Sequence, residues 1–212
     1  MRGLNLKTFF HNAQSPYDVA YVDQAEFSAG DAFAITGVNQ KLQVKWRDRD
    51  LLVPIPGRGH ARFLIDELVR MTIMQRLSES GISFKRLRSL TMVAAHHATA
   101  KLMAMPGAVA IKAESIEAEA QEVERIEAWA AKSRERYLFI PLPEPDDWEA
   151  RSPDYLRSDL SDLHELVDQN GLFHGLLIDL DAVARLVYSR VTLPLETHVV
   201  TLRRTEPDGS AE

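Results

Sequence analysis

The sequence predicts a mainly α-helical protein with a small α/β part: two short N-terminal helices around a tight turn, a central long helix, and a C-terminal α/β unit. Three observations lead there. From Phe27 to Leu90 the chain reads as a short helix, a turn at Thr36-Gly37-Val38, a second helix rich in Lys and Arg, a Gly-Arg-Gly loop and a longer amphipathic helix. From Ile111 to Arg136 it is rich in Ala and Glu with helical spacing. From Tyr137 onward, short apolar runs bounded by turn residues alternate with helical patterning, the signature of an α/β unit. The expected division is an arm at 1–26, a helix–turn–helix unit at 27–92, a helical connector or dimerisation helix at 93–136, a small α/β domain at 137–205 and a frayed tail at 206–212.

The elements follow in order. Residues 1–26 show no sustained periodicity, and Phe9, Phe10, Tyr17, Tyr21 and Val22 suit an arm that packs somewhere. Ser28 is placed to cap a first helix, with Asp31 in its first turn and Ala32, Phe33 and Ile35 as its buried face. Gly37 stands where that helix ends, because glycine takes the left-handed conformation readily. Asn39 caps the second helix, in which Leu42 and Trp46 share one face and Lys41 and Lys45 another. Pro54, Pro56, Gly57 and Gly59 mark a loop. Leu68, Met71, Ile73, Met74 and Leu77 give helical spacing over Asp66–Ser80; Gly81 stops that helix and Ser83 caps the next, through Leu87 and Leu90.

Met92–Met105 is apolar and Ala-rich up to a break at Pro106-Gly107. In the long helix expected over Ile111–Arg136, Ile116, Val123 and Ala130 recur every seven residues with Ile126 between. That pattern fits a coiled-coil seam and equally a single amphipathic helix packed within the monomer. Tyr137–Pro141 reads as a strand, Pro141–Pro153 as an acidic loop, and Leu156, Leu160, Leu163 and Val167 as a helix ended by Asn170-Gly171. Gly175–Leu180 reads as a buried strand, Asp181 as the cap of a helix carrying Val183, Leu186, Val187 and Tyr188, and Thr197–Leu202 as the last strand of a strand–helix–strand unit.

Composition narrows the function classes. Of 212 residues, 45% are hydrophobic and 26% charged, which predicts a packed globular core. No apolar run approaches the roughly 20 residues that cross a bilayer, and Met1-Arg2-Gly3-Leu4-Asn5 lacks a secretory core. The absence of Cys rules out disulfides, thiolate metal sites and Cys nucleophiles, and fits a reducing, cytoplasmic setting without a membrane partner. The net charge of −6 is unevenly spread: residues 27–92 carry eleven Lys and Arg against six Asp and Glu, residues 93–212 twelve against twenty-two, and residues 1–26 two against three. A basic segment is thus set apart from an acidic one.

Within the basic segment, Gln40, Lys41, Gln43, Lys45, Arg47 and Arg49 are the candidates for contacting duplex DNA, since a Gln amide can read adenine in the major groove. Arg58, His60 and Arg62 flank glycines that let the backbone approach phosphate, with Arg supplying bidentate geometry. The bland alternatives are a solvated basic helix and an ordinary surface loop. Trp46 and Phe63 read as core anchors. No Walker or dinucleotide fingerprint occurs. His96 and His97 are adjacent on a helix and point about 100° apart, so they do not converge on one metal ion. His164, His174 and His198 read as packing residues, Asp179 and Asp181 as a strand-end turn and cap, and Ser161 with His164 lacks a strained nucleophile turn. No enzyme activity, cofactor or metal is therefore expected.

Four fragments together resemble the DNA-binding domain of MerR-type regulators, a winged helix-turn-helix: Ala34-Ile-Thr-Gly-Val38, Trp46-Arg-Asp-Arg-Asp-Leu-Leu52, Gly57-Arg-Gly-His-Ala-Arg-Phe63 and Leu77-Ser-Glu-Ser-Gly-Ile-Ser-Phe-Lys-Arg-Leu87. The match covers less than a third of the chain. Val44 and Lys45 stand where that family usually carries Arg-Tyr, and Asp50 where it usually carries Gly. The resemblance implies a transcriptional regulator that reads duplex DNA with its second helix and clamps phosphates with the wing. It further implies a homodimer, contact with RNA polymerase, and any small-molecule effector bound in the C-terminal part. The alternative is a non-enzymatic protein-interaction module, or a DNA-packaging or recombination accessory, built on a winged helix.

Overall fold

Hydrophobic residues from both halves of the chain meet in one buried cluster that runs from Phe27 to Leu195. The computed structural model describes residues 17–57, 59–141, 156–161 and 175–202. Among these the protein is mixed α/β, with six helices and three small sheets. Strands β1 (Tyr17–Gln24) and β2 (Phe27–Ser28) precede helices α1 (Ala29–Thr36) and α2 (Gln40–Arg47). After them come β3 (Arg62–Phe63), α3 (Ile65–Glu79), α4 (Phe84–Met103), β4 (Val109–Ala113) and α5 (Ile116–Lys132). β5 (Tyr137–Pro141), β6 (Leu156–Arg157), β7 (Gly175–Asp179), α6 (Leu180–Tyr188) and β8 (Glu196–Leu202) complete the order. No helix among the described residues is long and apolar enough to cross a membrane.

Helix α3 is the hub. Leu68, Val69, Met71, Ile73, Met74 and Leu77 are all buried, because the helix is enclosed by α1, α4 and α6. Its one buried cation, Arg70, is matched by Glu67 at 3.2 Å and by Thr91 of α4 at 3.3 Å. At its end Gly81 is left-handed (φ 84°), and the amide of Ile82 returns to the Leu77 carbonyl at 3.0 Å. Gly81 therefore closes the helix as the sequence indicates. Helix α4 runs unbroken across position 92, where a boundary was expected, and ends just before Pro106-Gly107.

The sheets depart from expectation. The segment expected as an arm contains β1, paired antiparallel with β8, while β4 pairs with β8 in parallel. A register shift between Val19 and Tyr21 interrupts the two-residue alternation, which hides this strand from pattern reading. Ile111, expected to be helical, lies in β4; α5 begins only after Ser115, whose hydroxyl accepts from the Ala118 amide at 3.2 Å. The expected strand–helix–strand unit does not lie in one sheet: β7 pairs with β5, whereas β8 pairs with β1 and β4. Leu156 belongs to β6, and the cap of α6 is Asp179, accepting from Asp181 and Ala182. Leu163, Val167, Asn170, His164, His174 and the tail from 206 lie outside the described residues.

Helix α5 packs on the β4–β8 layer through Ala118, Glu122 and Ile126. Ile116 and Val123, two residues of the heptad series, stay 82% and 40% exposed. Beneath α5 sits a buried charged chain. His198 bonds Glu122 through Nδ1 and Glu196 through Nε2, the latter at 2.8 Å. Arg125 pairs with Glu122, and Gln24 of β1 donates to Glu196 at 2.7 Å. Burial alone would depress the His198 imidazole, but the two carboxylates outweigh it and hold its pKa at about 9. The ring is therefore a cation between two anions, joining α5, β8 and β1.

Because the folded pKa lies above the unfolded value, the network stabilises fully below about pH 6.5 and is lost as pH rises through about 9. Thermal unfolding of the wild type should fall between pH 7 and pH 9.5. His198→Gln should lower the midpoint at pH 7 and flatten that alkaline decline; an unchanged decline would refute the assignment.

Candidate nucleic-acid interface

Local capping sets the two short helices. Ser28 accepts from the Asp31 amide at 3.1 Å while Asp31 accepts from the Ser28 amide at 2.8 Å, a reciprocal capping box that opens α1. Gly37, at φ 81°, closes it, with its amide donating to the Phe33 carbonyl at 2.8 Å. Thr36 stiffens the turn: its hydroxyl donates to the Ala32 carbonyl and accepts from the Val38 amide. Asn39 then caps α2 by accepting from the Leu42 amide at 2.9 Å. The two eight-residue helices are thus joined by a turn over 37–39. Phe33, expected in the core, is instead 51% exposed; Ala32 and Ile35 fill the buried face.

The inner face of α2 fixes its orientation. Trp46 is fully buried, as its place in the sequence indicates. Gln43, expected among the DNA contacts, is instead only 2% exposed, and its amide nitrogen donates to the Ala29 carbonyl at 3.0 Å and the Val38 carbonyl at 2.8 Å. The residue therefore ties the start of α1, the turn and α2 together. A glutamine is polar enough to suggest surface, and only the two carbonyls brought near by the turn draw it inward.

The outer face carries Gln40, Lys41, Val44 and Lys45, all exposed, with Arg47 half-buried at its flank. Arg49 lies beyond α2, in the turn over residues 48–50. That turn closes by two return bonds, Asp50 amide to Arg47 carbonyl and Leu51 amide to Trp46 carbonyl, with Leu51 buried beside the tryptophan's turn. Asp50 takes the left-handed position, φ 54°, that such a closure usually gives to glycine. The chain next forms a hairpin-like loop between residues 53 and 61, without a strand on its first arm, closed by the Ile55 amide on the Arg62 carbonyl at 2.8 Å and anchored by Phe63, fully buried in β3. β3 pairs Arg62 with Ser28 and Phe63 with Phe27, so the hairpin stands beside the start of α1.

Between α2 and this hairpin lies an open groove of about 530 Å³ walled by Gln40, Val44 and Arg47 on one side and His60 and Arg62 on the other. Ser28, Ala29 and Gly30 form its floor near α1; the sequence marked these only as a capping signal. Arg58 lies outside the described residues. Among the described residues no carboxylate forms an ion pair with Lys41, Lys45, Arg47 or Arg62. Asp31 is held below the usual carboxylate range by its bonds from Ser28, and the nearby charge of Arg62 adds to this. At the hairpin's root, burial lifts Glu67 to about 7, where it meets the Val53 amide. His96 faces Trp129 at 5.8 Å between ring centroids, and Asp179 and Asp181 are paired with Arg136. No cluster able to hold a metal occurs among the described residues.

Replacing Asp50 by Gly should raise the unfolding free energy by about 1 kcal/mol, since the left-handed backbone penalty disappears. Gln43→Met, similar in volume, should lower it by about 1–3 kcal/mol by stranding the Val38 carbonyl; a neutral result in a denaturant titration would remove Gln43 from its anchoring role. Comparison with known proteins adds no family: no protein-family model matches the chain, and no curated protein matches it.

Proposed function

We propose that this protein is a DNA-binding transcriptional regulator of MerR-like type, in which α1, α2 and the hairpin act as a winged helix-turn-helix. One observation carries the reading. The apolar and amide face of α2 is sunk against α1, which turns Gln40, Lys41, Val44 and Lys45 outward beside a hairpin bearing His60 and Arg62. A helix of this size fits the major groove, while cations on the hairpin meet phosphate oxygens alongside it. Lys41 and Lys45 are the groove-side cations, Arg47 and Arg62 the backbone clamp, and Gln40 the remaining amide that can read a base after Gln43 is withdrawn. The exposed Ile116 and Val123 of α5 support a homodimer as the working form, since two such residues one heptad apart offer a second copy an apolar strip.

Binding of random duplex DNA should weaken steeply between about 50 and 200 mM salt. Arg62→Ala should weaken binding to every sequence alike and reduce the slope of log affinity against log salt by about one unit. Absence of binding at the lower salt would favour the protein-interaction alternative, and an unchanged slope would release Arg62 from phosphate contact.

A further inference from the structure

Resting on the DNA-binding reading above, the outer face of α2 also carries chemistry that charge does not explain. Gln40 and Val44 lie one turn apart on the same face, where α2 walls the groove. Val44 is 42% exposed and stands outside the buried cluster. Valine is a weak helix former because its branched Cβ restricts its rotamers, so within the monomer this position contributes little. Its neighbours Lys41, Lys45 and Arg47 surround it with positive charge. An apolar protein surface would have to accept those cations around the isopropyl group. A duplex meets both requirements: phosphates at the rim of the major groove for the cations, and on its floor the 5-methyl of thymine and the N6/N7 edge of adenine.

We propose that α2 reads an A·T-containing element, with the Gln40 amide on an adenine edge and the Val44 isopropyl on a thymine methyl. Four residues of helix rise about 6 Å, against 3.4 Å per base pair, so the two contacts fall about two base pairs apart. The full chain is used to select duplexes from a randomised pool, and each thymine of the enriched motif is then replaced singly by uracil, which removes the methyl and keeps the pairing. One thymine per half-site should lose about fourfold in affinity on replacement, the worth of one buried methyl-sized group. Val44→Ala should bind the thymine and uracil versions equally, and Gln40→Ala should lose the preference for adenine at the neighbouring position. A motif in which no uracil replacement matters, or a Val44→Ala protein that still discriminates, overturns the proposal. Sequence-independent binding alone also overturns it while leaving the DNA-binding reading in place. No binding to any duplex at about 50 mM salt ends both.

Discussion

The side-chain amide of Gln43, bridging the carbonyls of Ala29 and Val38, is the contact on which the rest of the candidate site depends. A helix of eight residues has little stability of its own, so α2 takes its position from what its inner face touches. Trp46 supplies buried area and Gln43 supplies direction, because two hydrogen bonds to fixed carbonyls admit one rotation of the helix about its axis. Once that rotation is set, helical geometry alone decides which residues face outward. Gln40, Lys41, Val44 and Lys45 form the outer face as a consequence, and the hairpin completes the groove.

The remainder of the molecule holds this arrangement in place. Helix α3 packs against α1 and α6 at once, and the Arg190 guanidinium donates to the Ile35 carbonyl at 2.8 Å, linking the end of α6 to the last turn of α1. Strand β8 joins the two ends of the described chain through β1 and, through the His198 cation, carries α5. Burying three charges is unfavourable unless each has partners, and here every member of the chain from Gln24 to Arg125 has one. The second groove, of about 410 Å³ between α3, β7 and α6, is lined mainly by apolar side chains, and its one cation among the described residues, Arg76, is paired with Glu79 at 3.3 Å.

Much of the local structure was legible in the sequence. Ser28, Gly37, Asn39 and Gly81 act within a few residues of themselves, so their capping roles follow from residue type and spacing alone. Trp46 and Phe63 are large enough that burial was the natural reading. What escaped depends on distant partners. β1 and β4 are strands because β8 lies between them, and nothing local announces a partner more than 80 residues away. Ile111 fits a helix as well as a strand until its pairing with His198 decides. Gln43 was misjudged because polarity does not reveal on which side of a short helix a residue falls when its packing partner is a turn carbonyl. Asp50 shows the reverse case, a position whose backbone demand can be read from the closure geometry even though its side chain suits that demand poorly.

The most direct measurement is an amide-resolved NMR titration of the full chain with a short duplex. The signals of Gln40, Lys41, Val44, Lys45 and residues 59–62 should shift together and saturate at one stoichiometry, while those of α5 and β8 stay nearly still. Shifts centred on the groove between α3, β7 and α6, or on Gln43 and Trp46 with the outer face unmoved, would contradict the DNA-binding reading.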